Sequence, residues 1–209
     1  VGEGAKAKVG DRLVVAGTLA ESVRESAKIE KWSVIETIPG IQMDGTICAH
    51  PLAGWQPDAE HQGNEENTTD YIPAAQGLPD GQQAIAESIY DFEVPLLAGD
   101  FVTDEAGTGF VHIAPGHGED DFYLGVANGI EITDNVADDG VFRDHVPLFK
   151  GMEVYTQEGQ LGGGNFAVLK RLVEAEKLLA KGSLKHEYPH SWRSKAPLIF
   201  RTTPQWFIQ

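Results

Sequence analysis

The segment Gly107-Thr-Gly-Phe-Val-His-Ile-Ala-Pro-Gly-His-Gly-Glu-Asp-Asp-Phe-Tyr123 constrains this chain more than any other stretch. A strand-like run, Gly109 to Ala114, stops at Pro115-Gly116, because proline has no N–H for a ladder and fixes its own φ. Gly118 and three acids follow, Glu119, Asp120 and Asp121, and carboxylates suit the first turn of a helix, where the backbone dipole is positive. The spacing predicts a strand, a loop that lets backbone approach a ligand, and a helix start, together able to bring His112, His117 and Asp121 around one small pocket. A carboxylate there can hold a substrate ammonium, and an imidazole can orient water or shape a wall. Plainer readings stand beside this one. The acids can be a solvated helix N-terminus, and His112 can be a satisfied core histidine. His112, His117 and Asp121 are metal-ligand types, yet no helical His-x-x-x-His or other ligand spacing supports a metal. No Walker sequence and no Gly-x-Gly-x-x-Gly occurs.

Around this segment the chain reads as short strands with two or three helices. Asp11 to Ala16 is β-rich and leads into Thr18-Leu-Ala-Glu21, a capping box that predicts a helix with Leu19, Val23 and Ala27 on one face. Trp32 to Ile38 and Thr46 to His50 read as strands, separated by the turn signals Pro39-Gly40 and Asp44-Gly45. Residues 54–90 are rich in Gly, Pro, Gln, Asn and acid, and are expected to be a long solvated insertion. Regular structure is predicted to resume over Phe92 to Val102. Asp120 to Val126 should be helical. The clearest helix is predicted over Phe166 to Lys181, with Asn165 as its cap and Gly182 as its stop.

Charge divides the chain. From Trp32 to Phe142 there are 21 acids and no Lys or Arg, whereas residues 170–209 carry eight Lys and Arg against three acids, a local net charge of +5. The total is −16, which argues against a broad phosphate-binding surface. The 209 residues are 41% hydrophobic, enough for a sizeable core and unlike a disordered chain. Cys48 is the single cysteine, so neither an internal disulfide nor a thiolate metal site is expected, which fits a reducing, cytoplasmic setting. No apolar run reaches the length of a membrane span. The start at Val1 and the apolar end (Trp206, Phe207, Ile208) suggest a piece excised from something larger.

The Gly107 to Phe122 segment closely resembles the hallmark stretch of the editing domain of isoleucyl-tRNA synthetases, an insertion in a class I catalytic core. A second stretch, His186-Glu-Tyr-Pro-His-Ser-Trp-Arg-Ser-Lys-Ala-Pro-Leu-Ile-Phe-Arg-Thr-Thr-Pro-Gln-Trp-Phe-Ile208, is similar to the place where that family's chain leaves the editing domain and re-enters the core. Weaker similarity covers Asp11 to Pro51 and Val94 to Asp104. His112 favours the isoleucine enzyme, since the valine enzyme typically has lysine there and the leucine enzyme a hydrophobic residue.

The resemblance implies an α+β fold, a β-rich, barrel-like editing domain as in class I isoleucyl, valyl and leucyl-tRNA synthetases. The domain would span residues 1–185, with residues 186–209 as a connecting ribbon. It also implies hydrolysis of valine misattached to the tRNA for isoleucine, since one missing methylene gives a binding pocket only ~1–3 kcal/mol of discrimination. Carried over by position, Asp121 and His112 are the catalytic pair: Asp121 binds the α-ammonium and His112 lines the pocket and rejects isoleucine by shape. Gly107, Thr108, Gly109, Phe110, Gly116, His117 and Gly118 form the substrate-binding loop, and ordered water is the attacking group. A threonine-rich wall is expected from chain preceding Val1. Editing needs no metal or cofactor; ATP and Mg serve the parent enzyme's synthetic site, whose His-Ile-Gly-His and Lys-Met-Ser-Lys-Ser signatures are not in this sequence. The implied partners are the 3′ end of aminoacylated tRNA and the remainder of the synthetase, with no membrane and a monomeric fragment. Two other readings are the editing domain of a valyl enzyme and an acidic protein-binding module with a vestigial site.

Overall fold

The computed structural model describes residues 3–54, 90–182, 187–203 and 206. A 3-10 turn, Gly17–Leu19, runs into helix α1, Ala20–Ser26, and a second 3-10 turn spans Gly40–Met43. Strands β1 (Ile47–Ala49) and β2 (Glu93–Pro95) precede helices α2 (Glu119–Ala127) and α3 (Gly163–Glu174). Helices and sheet both occur, as an α+β chain requires.

Helix α1 forms where its stripe predicts. Leu19, Val23 and Ala27 are buried and, with Ile29, supply four of the seven buried apolar side chains among the described residues. The capping box does not form: Thr18 Oγ1 donates to Asp104 Oδ2 at 2.8 Å, and no side-chain oxygen accepts an N–H of the helix's first turn. Both α1 and α3 end without glycine. Lys28 and Glu176 adopt φ of 55° and 54° two residues past the last helical residue, and the N–H groups of Ile29 and Lys177 reach back to the Arg24 and Leu172 carbonyls at 2.9 and 2.8 Å. These are left-handed C-terminal closures carried by charged residues rather than by the usual glycine. For α3 the closure corrects the predicted boundaries. The helix starts at Gly163, places Asn165 inside its first turn, and stops at Glu174, well before Gly182.

The sheet is smaller than expected. β1 and β2 pair antiparallel, Ile47 opposite Pro95, Cys48 opposite Val94 and Ala49 opposite Glu93. Leu96 N–H to Thr46 O (2.8 Å) and Gly45 N–H to Leu96 O (2.9 Å) extend the pairing into the Asp44-Gly45 turn. This ladder joins the chain on either side of the acidic segment, most of which (residues 55–89) lies outside the described residues, as does the expected insertion. A barrel is not formed among the described residues. A β-favouring sequence becomes a strand only where a neighbouring backbone offers donors and acceptors. Residues 11–16, 32–38 and 109–114 form no ladder among the described residues, and Val14, Val34 and Ile35 are 60%, 72% and 75% exposed. One bond, Ala16 N–H to Thr108 O at 2.8 Å, ties the first of these segments to the loop before the third. Beyond the ladder, isolated bridges such as Val141 to Glu153 and Tyr155 to Leu161 fold residues 136–161 into tight turns beside α3.

Cations from the flanks reach back to the acidic middle. Arg143 Nη2 lies 2.8 Å from Asp134 Oδ2, and Arg201 pairs with Asp138 across 63 residues. No helix among the described residues is long and apolar enough to cross a membrane.

Candidate functional site

The glycine loop is pinned on three sides. Gly116 is buried, and a side chain there would begin 2.6 Å from the Thr133 carbonyl oxygen. Its own carbonyl accepts from Thr202 N–H at 2.9 Å. His117 N–H closes a turn onto Ala114 O at 2.8 Å, and His117 Nδ1 lies 2.7 Å from the Phe200 carbonyl oxygen. A carbonyl only accepts, so Nδ1 carries the proton. Helix α2 packs its buried Gly125 against Pro115, where a side chain would meet the ring at 2.7 Å.

The three acids separate in this frame. Glu119 and Asp120 are exposed, as a solvated helix start requires, whereas Asp121 is half-buried. Its Oδ2 accepts Ala114 N–H at 2.8 Å, and the carboxylate sits 3.1 Å from where a Gly118 side chain would begin. The loop therefore folds back on itself: residue 121 is bound to the backbone two residues past His112. His112 itself is exposed, so the core-histidine reading does not hold. Upstream, Gly107 and Gly109 have φ of 71° and 82°, conformations that favour glycine. A side chain at Gly109 would strike Ala16 Cβ at 2.4 Å. Thr108 is bound through its carbonyl to Ala16, and Phe110 is 42% exposed. The structure thus brings Gly116, His117, Gly118 and Asp121 into one unit. It places Gly107, Thr108, Gly109 and Phe110 at the far end of the same segment, against Ala16. Among the described residues no three His, Cys, Asp or Glu side chains converge as a metal site.

Two contributions were not legible in the segment. Phe200 and Thr202, read as part of a departing ribbon, clamp the loop through backbone atoms, an interaction that leaves no side-chain signature. The other is an aromatic stack. His50 lies 4.9 Å from Tyr90 with the rings nearly parallel and 4.9 Å from Phe92, and Tyr90 Oη donates to Pro147 O at 2.7 Å. Burial pushes the Tyr90 phenol up to about 12.

His50 Nδ1 accepts Leu52 N–H at 3.1 Å, which needs the neutral ring. Burial, and after it the charge of His112, holds the His50 imidazole below its ordinary value. An unfolded chain binds a proton here at about pH 6.5 while the folded chain resists it, so this contribution is complete above that pH and is lost as pH falls below it, down through the lower value of the folded imidazole. The urea midpoint should therefore drop more between about pH 7.5 and about pH 5.5 in the parent than in His50→Gln, whose side chain does not titrate. Equal drops would show that His50 carries no such linkage.

No protein-family model matches the chain. The isoleucine–tRNA ligase of Caulobacter vibrioides is 45% identical over 208 residues, covering 97% of this chain. The chain is homologous to one region of isoleucine–tRNA ligases. The isoleucine–tRNA ligase of Bradyrhizobium diazoefficiens is 42% identical over 211 residues, and that of Pelagibacter ubique 38% identical over 197. The chain covers 97% and 94% of itself in these two matches, but only 18%, 18% and 17% of the three ligases, under a fifth of their length. The isoleucine–tRNA ligase likeness is thus nearly complete from this chain's side and regional from theirs.

Proposed function

We propose that this chain is the post-transfer editing region of an isoleucine–tRNA ligase, hydrolysing valine misattached to the tRNA for isoleucine. The observation that carries the reading is Asp121 held on Ala114 N–H at 2.8 Å, half-buried, at a helix start just beyond the His112 segment. One carboxylate oxygen is fixed by backbone, which leaves the charge oriented for a substrate ammonium. The resemblance of residues 107–122 to the family's editing segment and the homology to isoleucine–tRNA ligases support the same assignment. In the reaction, a water oxygen bonds to the ester carbonyl carbon and the carbon–oxygen bond to the terminal ribose breaks. The ribose oxygen takes a proton, releasing valine and uncharged tRNA. Asp121 anchors the amino group, His112 stands as the wall that excludes the larger isoleucine, and Gly116 to Gly118 shape the loop. The rest of the ligase chain would charge the tRNA with isoleucine using ATP and Mg. The chain, supplied with its flanking ligase sequence, should hydrolyse valyl-tRNA for isoleucine at least about 10²-fold faster than the isoleucyl ester, measured by release of labelled amino acid. Equal rates on the two esters would reject the assignment.

A further inference from the structure

A second feature lies away from the glycine loop. Between the end of α1 and the outer face of α3 is an open cleft of about 690 Å³. Four lysines stand around it: Lys6 from the N-terminal segment, Lys28 from the closure of α1, Lys170 on α3, and Lys181 beyond it. The floor is apolar, with Ala27, Val173 and Leu179. The acid in the lining, Glu174, is bonded to Arg171 at 2.9 Å, and the neighbouring Glu176 to Lys8 at 2.7 Å. The cleft is therefore a concentrated positive region in a chain whose total charge is −16. Lys28 is held there by backbone. Its φ of 55° belongs to the closure of α1, and its Nζ lies 3.3 Å from where a Gly4 side chain would begin.

From this juxtaposition we infer that the cleft binds the sugar–phosphate backbone of an RNA segment, with lysines on consecutive phosphates and the apolar floor against ribose and base faces. The volume exceeds what one phosphate fills. Lysine ammonium groups are point charges on flexible stems, suited to diffuse phosphate charge more than to the planar, two-pronged contact that arginine makes with carboxylates. The inference rests on the tRNA reading for its physiological ligand. It concerns a surface distinct from the loop that holds Asp121.

The test measures binding of uncharged tRNA for isoleucine to the full chain across a salt series from about 50 to about 200 mM KCl. The parent is compared with a variant carrying Lys6→Gln, Lys28→Gln and Lys181→Gln. All three side chains are exposed, so the variant should keep the parent's melting temperature. A second variant, Arg12→Gln with Lys31→Gln and Lys195→Gln, makes the same change in net charge elsewhere. Each phosphate contact adds roughly 0.7–0.9 to the slope of log affinity against log salt, so the cleft variant should lose about 2 from that slope and the second variant much less. Equal behaviour of the two variants overturns the inference, as does a parent without salt-dependent binding. Displacement of the RNA from the parent by inorganic phosphate but not by poly-glutamate agrees with a phosphate site. The reverse order makes it a site for acidic peptide and overturns it. Hydrolysis of valyl-adenosine, too short to span both surfaces, is followed in parallel. Its absence in the parent supplied with its flanking ligase sequence counts against the editing assignment alone, because the salt slopes are read without any hydrolysis.

Discussion

Replacing Asp121 with asparagine is expected to lower kcat/KM for valyl-tRNA hydrolysis by about 10²-fold or more while the chain stays folded, because a charge contact to a desolvated ammonium is lost. Asparagine keeps an oxygen that can accept Ala114 N–H, the 2.8 Å bond that closes the loop. Asp121→Ala removes both. It should lose the same activity and, in addition, about 1–3 kcal/mol of stability, since a half-buried N–H is left without its partner. The pair of variants separates the two roles of one carboxylate: activity falls alike in both, and the urea midpoint falls only in alanine. An asparagine variant as active as the parent would remove Asp121 from ammonium binding. A fall in stability equal in both would mean the amide cannot replace the carboxylate in the loop.

The second large effect is structural and lies at adjacent glycines. A side chain at Gly162 would begin 2.2 Å from the Glu153 carbonyl oxygen and 2.6 Å from its carbon, backbone atoms that cannot swing aside. Gly162 N–H also donates to Val154 O at 2.8 Å, and Gly164 N–H to Glu153 O at 3.0 Å, so the two backbones are fastened where they cross. Gly162→Ala should cost about 3 kcal/mol, at the upper end of overpacking effects, and lower the melting temperature by roughly 6–12 °C. Gly163, the first residue of α3, has nothing within 4 Å of the same position. Gly163→Ala should be neutral or stabilise by up to about 1 kcal/mol through helix propensity. Paired thermal melts read the opposite signs directly. Similar destabilisation at both positions would mean the crossing at Glu153 is not the constraint.

What the residues disclosed and what they withheld follow from the range of the forces involved. Helix α2 was legible because its signal is local: three acids after Gly118, in the turn where the dipole favours them. Leu19, Val23 and Ala27 gave away the buried face of α1 by spacing alone. The stop of α3 was misplaced at Gly182 because Glu176 takes a left-handed conformation that glycine usually supplies, and no rule of composition points to a glutamate there. The strand-like runs at 11–16 and 32–38 failed to become sheet because pairing depends on a distant backbone that the run itself does not specify. For the candidate site, residue types pointed to Asp121, but its separation from the exposed Glu119 and Asp120 came from a bond to Ala114 N–H. Phe200 and Thr202 enter the clamp only through main-chain atoms, so almost any residues at those two positions would have looked the same.

The clamp also sets an order of events. His117 meets Phe200 across 83 positions of chain, and Thr202 meets Gly116 across a similar span. During synthesis the glycine loop and α2 leave the ribosome several seconds before the residues that fasten them, at roughly 5–20 residues per second. Until then Gly116 O and His117 Nδ1 are met by water, and Asp138 waits for Arg201. The part of the chain that holds Asp121 is thus made well before it is locked, so its geometry is completed only once the basic stretch that follows has been translated.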